Sequence, residues 1–231
     1  MRRLIDKLFR RLALAILDRA DERHLHPKRI LLEEAQRQSA EYAREHMRGA
    51  MILDRREEIL DLALARAPED GVLLEFGVAS GDSIRHLAGR TGRTIHGFDS
   101  FQGLPEDWPG RHEGKGHYST DGRLPEVPPT VRLHKGTFDD TLPAFLAKET
   151  GTAALIHMDC DLYTSTKTVL DALADRIAPG TVILFDEYFN FVGWREHEFK
   201  AFHEFLVESG LGYRYLAWSY QQAAVIIEAK A

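Results

Sequence analysis

Leu73-Leu74-Glu75-Phe76-Gly77-Val78-Ala79-Ser80-Gly81 is the stretch that decides how this chain is read. An apolar run carrying one acid enters a glycine turn, and a helix-forming segment, Asp82-Ser83-Ile84-Arg85-His86-Leu87, follows at once. Strand, tight turn and helix start, in that order, bring backbone close to a ligand, because glycine has no Cβ. They also aim the free N–H groups and positive dipole end of a helix at it. Such a turn suits a nucleotide or a carboxylate.

The spacing narrows the ligand. A dinucleotide fingerprint reads G-x-G-x-x-G. Here Gly77 and Gly81 enclose three residues, Ala79 stands in the middle, and Asp82 follows where another glycine would be expected. The acid-glycine pattern from Glu75 to Gly81 resembles instead motif I of class I S-adenosylmethionine-dependent methyltransferases. A glycine turn in some other α/β protein is the competing reading. The next strand, Thr94-Ile95-His96-Gly97-Phe98-Asp99, ends in an acid 22 positions after Gly77. In doubly wound folds an acid about 20 residues beyond the turn accepts bonds from ribose hydroxyls. A turn-capping aspartate is the alternative for Asp99.

The chain has 231 residues, 44% of them hydrophobic, which suits one α/β domain with a helical extension. Its net charge of −6, with both signs mixed, offers no basic face for nucleic acid. A single cysteine, Cys160, leaves no disulfide framework and points to a reducing, cytoplasmic setting. No apolar run reaches the length of a membrane span. In the first 20 residues Leu4, Ile5, Leu8, Phe9, Leu12, Ala15 and Ile16 recur at helical spacing, with Arg2, Arg3, Lys7, Arg10 and Arg11 opposite. Its apolar centre is short for a signal peptide. Two readings stay open: a helix packed on its own domain or on a second copy in a homo-oligomer, and a helix lying on a membrane surface.

Helical patterns occupy 27–47 and 53–66, and Pro68-Glu69-Asp70-Gly71 then breaks the chain. The expected boundary follows: residues 1–68 a helical extension, 69–231 the ligand-binding domain. Strand candidates at 72–76, 94–98, 131–135, 153–158 and 181–185 alternate with helix candidates at 82–90, 138–148, 165–177 and 195–209. Alternation predicts a parallel sheet with helices on both faces. Strands at 213–218 and 223–228 are joined by a short connection, which makes an antiparallel pair. The expected fold is therefore α/β and Rossmann-like, seven-stranded, five strands parallel plus a C-terminal antiparallel pair. Between Asp99 and Val131 lies a connection holding five of the nine prolines. Loops of that length are lids, binding loops or plain excursions. Residues 103–130 are read as a lid, with Trp108, His117 and Tyr118 supplying contacts to a substrate.

Acids gather at two strand ends, Asp159-Cys160-Asp161 and Asp186-Glu187. Ligands of open α/β sheets sit beyond the carboxyl ends of the strands. Neighbouring strands lie about 5 Å apart, so four carboxylates would crowd one rim and raise one another's pKa unless a cation joins them. All-oxygen donors suit Mg²⁺, Ca²⁺ or Mn²⁺ rather than zinc. Helix capping or hydroxyl binding without metal is the plainer alternative.

Four segments now align in order: Glu75-Phe-Gly-Val-Ala-Ser-Gly-x-Ser83, Gly97-Phe-Asp-Ser-Phe-x-Gly-Leu-Pro105, His134-Lys-Gly-x-Phe-x-x-Thr-Leu-Pro143 and Asp159-x-Asp-Leu-Tyr-x-Ser-Thr166. Over about residues 70–228 the chain resembles the macrocin/mycinamicin/novobiocin sugar O-methyltransferase family. The resemblance implies a class I methyltransferase fold, S-adenosyl-L-methionine, Mg²⁺ or another divalent cation, and a small-molecule hydroxyl acceptor on a sugar or glycosylated natural product. Carried onto this sequence, it implies metal ligation by Asp159, Asp186 and Glu187, with Asp159 also the catalytic base. The expected cofactor contacts are Glu75, Gly77, Val78, Ala79, Ser80, Gly81, Ser83, Asp99, Ser100 and Gly136. A side chain at Gly77 should stand against the cofactor. Asp161, Tyr163 and Trp194 join the lid aromatics as substrate candidates. Two departures are visible: Cys160 stands between the paired aspartates where a smaller residue is usual, and Glu187 replaces an aspartate.

Cys160 has no evident His/Asn partner pattern, so a buried thiol outweighs a nucleophile. Two other functions remain open. One is a nicotinamide-dependent oxidoreductase, which the missing fingerprint disfavours. The other is a non-catalytic cofactor-binding partner, which the intact acidic rim disfavours.

Overall fold

The computed structural model describes residues 9–12 and 26–230. Most of the basic-apolar pattern of the first 20 residues lies outside the described residues; within it, Phe9–Leu12 is helical, with Phe9 and Leu12 exposed.

Helix α1 (Pro27–His46) opens with proline in its first turn, where the missing N–H costs nothing. A two-residue strand, β1 (Met51–Ile52), and helix α2 (Arg56–Arg66) follow. The alternating part comprises β2 (Val72–Phe76), α3 (Asp82–Ala88), β3 (Ile95–Asp99), β4 (Val131–Lys135), α4 (Phe138–Leu146), β5 (Ala153–Met158), α5 (Tyr163–Ala172) and β6 (Val182–Phe185). Helix α6 (Glu198–Ser209) and the strands β7 (Gly212–Trp218) and β8 (Ala223–Glu228) complete it.

The sheet runs β1-β7-β8-β6-β5-β2-β3-β4. Strands β4, β3, β2, β5 and β6 are parallel neighbours, and β8 lies antiparallel to both β6 and β7. Five parallel strands and an antiparallel pair are the expected class I methyltransferase arrangement. The sheet has one strand more than expected: β1 adds in parallel to β7, pairing Met51 with Ala217 and Ile52 with Trp218. Two residues are too few to carry a period-2 pattern, so nothing in the sequence announces them.

Side chains alternate between two cores. Leu74 and Phe76 of β2 and Ile183 and Phe185 of β6 face Tyr42, Val169 and Phe202 on one side. Leu73, Val182 and Leu184 face Ile59, Leu60, Ala63 and Ile84 on the other. Central parallel strands are covered on both faces and therefore read as unbroken apolar runs. Helices α1 and α2 pack on opposite faces of this one sheet. That placement carries the first residue of α2, Arg56, over the carboxyl ends of β5 and β6.

Candidate active site

The glycine turn is built around positive φ. Gly77 (φ +88°) leaves β2 and Gly81 (φ +84°) caps α3, with Ala79 also left-handed at φ +44°. Asp99 clamps the turn: one carboxylate oxygen accepts from the Val78 and Ala79 amides at 2.8 and 2.7 Å. Its other oxygen accepts from the Phe101 amide at 2.6 Å. Asp99 thus fixes the cradle as well as facing it.

A cavity of about 990 Å³ opens above the strand ends. Gly77, Val78, Ala79, Ser80, Ser83, Asp99, Ser100 and Gly136 form one wall; Arg56, Asp159, Asp161, Asp186 and Glu187 form another. The 100–130 connection contributes Gln102 to Glu106, Lys115, Gly116 and Tyr118. This connection is anchored in the main core, where Leu104 and Trp108 are buried, and Leu104 is hydrogen-bonded to His117 through the backbone.

Several expected site residues stand elsewhere. Glu75 is fully buried beneath the turn, accepting from Ser83 Oγ at 2.8 Å and bonded to His157 Nδ1 at 2.9 Å. It supports the cradle without reaching the cavity. Gly81 is outside the lining too, against Arg85 and Pro125. Among the substrate candidates, Asp161 and Tyr118 line the cavity and the other four do not. Trp108 is buried, with the Arg111 guanidinium 4.3 Å from its ring and Phe191 at its edge. Trp194 is buried among Tyr42 and Phe199. Tyr163 turns to α6, donating to Glu204 at 2.7 Å. His117 is exposed, packed edgewise on Tyr118. Large aromatic surface is best hidden from water, and for both tryptophans that gain decides their placement.

The rim is organised by a residue that the sequence reading left out. Arg56 donates from Nη2 to Asp159 at 2.5 Å and from Nε to Asp186 at 2.7 Å. A basic residue in the first turn of a helix opposes the helix dipole. That misfit is the one sign of Arg56 in the sequence. Beneath lies fully buried His157, its Nε2 3.7 Å from Asp186 and its Nδ1 on Glu75. Burial opposes its charge, but Asp186 and Glu75 outweigh burial and push its pKa up to about 10. Burial likewise opposes the Asp186 charge, yet His157 and Arg56 hold that carboxyl below the ordinary range. The other acids go the opposite way. Burial and neighbouring Asp186 push Asp159 up to about 8 despite Arg56. Burial pushes Asp161 up to about 7, and burial with Asp186 and Asp161 raises Glu187 well above its ordinary value.

Two clusters follow. Asp159, Asp161 and Glu187 each offer an oxygen, all within 4.8 Å of one another; His157, Asp159 and Asp186 form the other group. In the second group Asp186 also faces the Arg56 guanidinium, which ties it into a charge network. The first is an oxygen-donor set of the kind that suits a hard divalent cation. Glu187 Oε2 is buried with no hydrogen-bond partner, as an oxygen awaiting a cation would be. The expected ligands Asp159, Asp186 and Glu187 divide between the two groups: Asp161 stands with Asp159 and Glu187, while Asp186 stands with Asp159 and His157 and also meets Arg56. Cys160 is buried, 3.5 Å from Thr166 Oγ1, and burial raises its pKa well above the ordinary thiol value, the opposite of a nucleophile.

Sheet order and glycine cradle together define the class I methyltransferase fold. A family described as a methyltransferase domain matches residues 74–188, which run from β2 to just past the rim. Over those residues the chain carries the sequence pattern of a methyltransferase domain. It is similar to the 8-demethyl-8-(2,3-dimethoxy-alpha-L-rhamnosyl)-tetracenomycin-C 4'-O-methyltransferase of Streptomyces olivaceus. The two are 30% identical over 171 residues, 62% of this chain. The match spans 62% of the length of that curated relative. The crystal structure of CalS11, a calicheamicin methyltransferase, superposes with a TM-score of 0.62 at 25% identity, covering 74% of this chain and 80% of CalS11. The O-methyltransferase NovP shares the fold with a TM-score of 0.57 at 22% identity, covering 75% of this chain and 79% of NovP.

Proposed function

We propose that this protein transfers a methyl group from S-adenosyl-L-methionine to a hydroxyl of a sugar or a glycosylated natural product, assisted by Mg²⁺ or a similar divalent cation. The observation that carries this reading is one cavity with two walls of different chemistry. A glycine cradle with Asp99 forms the first and four carboxylates the second. The sugar hydroxyl is taken from the Streptomyces relative, a 4'-O-methyltransferase of a rhamnosyl-bearing tetracenomycin.

Val78 to Ser80, Ser83, Asp99, Ser100 and Gly136 would hold the cofactor. Asp159, Asp161 and Glu187 would hold the metal, with Asp186 behind them as a charged support. A divalent cation supplies Lewis acidity to an acceptor hydroxyl and fixes neighbouring oxygens. Asp159 takes the proton that the hydroxyl releases. At about 8 its pKa leaves it largely protonated at neutral pH. A base must be ionised to act, and added positive charge beside it lowers its pKa. A divalent cation beside Asp159 would thus favour the ionised form that can act as the base. Gln102 to Glu106 and Tyr118 line the cavity, and as a lid they would hold water away from the reacting oxygen.

Two measurements test the reading. Calorimetry should detect binding of S-adenosylhomocysteine and none of NADH. A panel of deoxysugar glycosides incubated with methyl-labelled cofactor should yield a labelled product that chelation with EDTA suppresses. Tight NADH binding without either sulfur compound would overturn the assignment.

A further inference from the structure

We infer that Arg56 is the resident cation of the carboxylate rim, and that a divalent ion entering the rim competes with its guanidinium for Asp159. The inference rests on the metal-assisted reading above. Arg56 spans the ends of two strands with one planar fork, Nη2 on Asp159 just past β5 and Nε on Asp186 just past β6. Two-pronged carboxylate contacts of this kind are the special competence of arginine. Asp159 has no other hydrogen-bonded side chain among the described residues.

The local sequence makes little sense without the rim. A cation in the first turn of α2 opposes the helix dipole, which favours acids such as Glu57 and Glu58 there. The neighbouring Arg55 obeys the local rules, pairing with Glu58 at 2.7 Å on the surface. Arg56 instead reaches across to carboxylates 103 and 130 positions away.

Asp159 belongs to both arrangements. One of its oxygens binds Arg56, and it is also one of the three acids whose oxygens converge with Asp161 and Glu187. A dication among those three acids repels a guanidinium held on the same carboxylate. Arg56 therefore stabilises the metal-free rim and weakens metal binding. Asp186 keeps the neighbouring His157 Nε2, 3.7 Å away, and the Gln222 amide, which donates at 3.5 Å, when Arg56 moves off.

The test uses the full chain with Mn²⁺ as the probe. Mn²⁺ binding is measured by calorimetry and electron paramagnetic resonance at about pH 8.5, where protons compete least for carboxylates. Changing the groups around a metal site typically shifts affinity about 10–100-fold. Arg56→Gln should bind Mn²⁺ tighter by a factor in that range. The variant should be less stable than wild type in EDTA and regain more stability when Mn²⁺ is added. Arg56→Lys keeps the charge but loses the fork, and should fall between the two; it carries the test if Arg56→Gln does not fold. Arg55→Gln should leave Mn²⁺ affinity unchanged. Equal or weaker Mn²⁺ binding by Arg56→Gln, or undiminished stability in EDTA, overturns the inference and leaves the metal-assisted reading standing. Absence of Mn²⁺ binding in every protein at millimolar concentrations overturns both, while S-adenosylhomocysteine binding reports separately on the cofactor cradle.

Discussion

Gly77 and Asp159 touch back to back: a Cβ built on Gly77 would lie 1.7 Å from the Asp159 carbonyl oxygen. The cofactor cradle and the acidic rim are therefore packed against each other through a position that holds only glycine. A side chain at Gly77 meets the rim backbone, and this corrects the expectation that it would stand against the cofactor.

Gly77→Ala should consequently damage the fold. A left-handed conformation costs a residue with a Cβ about 1–2 kcal/mol, and overpacking costs about 1–3 kcal/mol more. Urea unfolding should register a loss of that size, and calorimetry a loss of S-adenosylhomocysteine binding. Near wild-type stability would mean that the two loops can separate freely.

Asp159→Asn should keep the shape of the rim and remove its base. Methyl transfer should fall roughly 10²–10⁴-fold, whereas cofactor affinity should hold, because the Val78–Ser80 cradle is bonded to Asp99 instead. Rates with an accepted glycoside, in Mg²⁺ and in EDTA, provide the check. Full turnover by the variant would remove Asp159 from the chemistry.

Legibility followed the range of the interactions. The glycine turn, Asp99 and the acids at 159, 161, 186 and 187 could be read because strand ends and turns announce themselves over a few residues. Arg56 could not, since only the packing of α2 beneath β6 brings it to Asp159, 103 positions on. Trp108 and Trp194 were misplaced because loop sequence near a site does not say whether an indole faces the cavity or the core. Glu75 was legible as part of the turn, but not as a buried bracket between Ser83 and His157, because that role depends on β5 lying beside β2.

The 103–130 connection should protect itself when the site fills. Lys115 and Arg123 are exposed, and Lys115 lines the cavity. Trypsin should nick the native chain at these residues, and cofactor with acceptor should slow the cut at Lys115 more than at Arg123. Equal rates with and without ligands would make the segment a fixed wall instead of a lid.

His96 and His134 should make the protein acid-sensitive. Their ring nitrogens lie 3.0 Å apart, so one proton serves both. Burial depresses each pKa below the ordinary 6.5, and His96 adds to the effect on His134. Since the folded values are lowered, their stabilisation is complete above 6.5 and is lost as pH falls through them. His157, with its raised value, has the opposite dependence above 6.5. The comparison between proteins therefore isolates the pair. Urea unfolding between about pH 7.5 and 5.5 should give a shallower decline for His134→Gln than for wild type. Parallel profiles would show that the pair does not titrate on unfolding.

The two-residue strand β1 has a consequence for handling the protein. It occupies the Ala217–Trp218 end of β7, where the outermost strand would otherwise present unpaired amides. Bare strand edges template lateral association between molecules. Replacing Met51 and Ile52 by proline would lay that edge open while leaving Arg56 and the whole cavity wall in place. Such a protein would associate edge to edge through a change at two residues that line no part of the cavity.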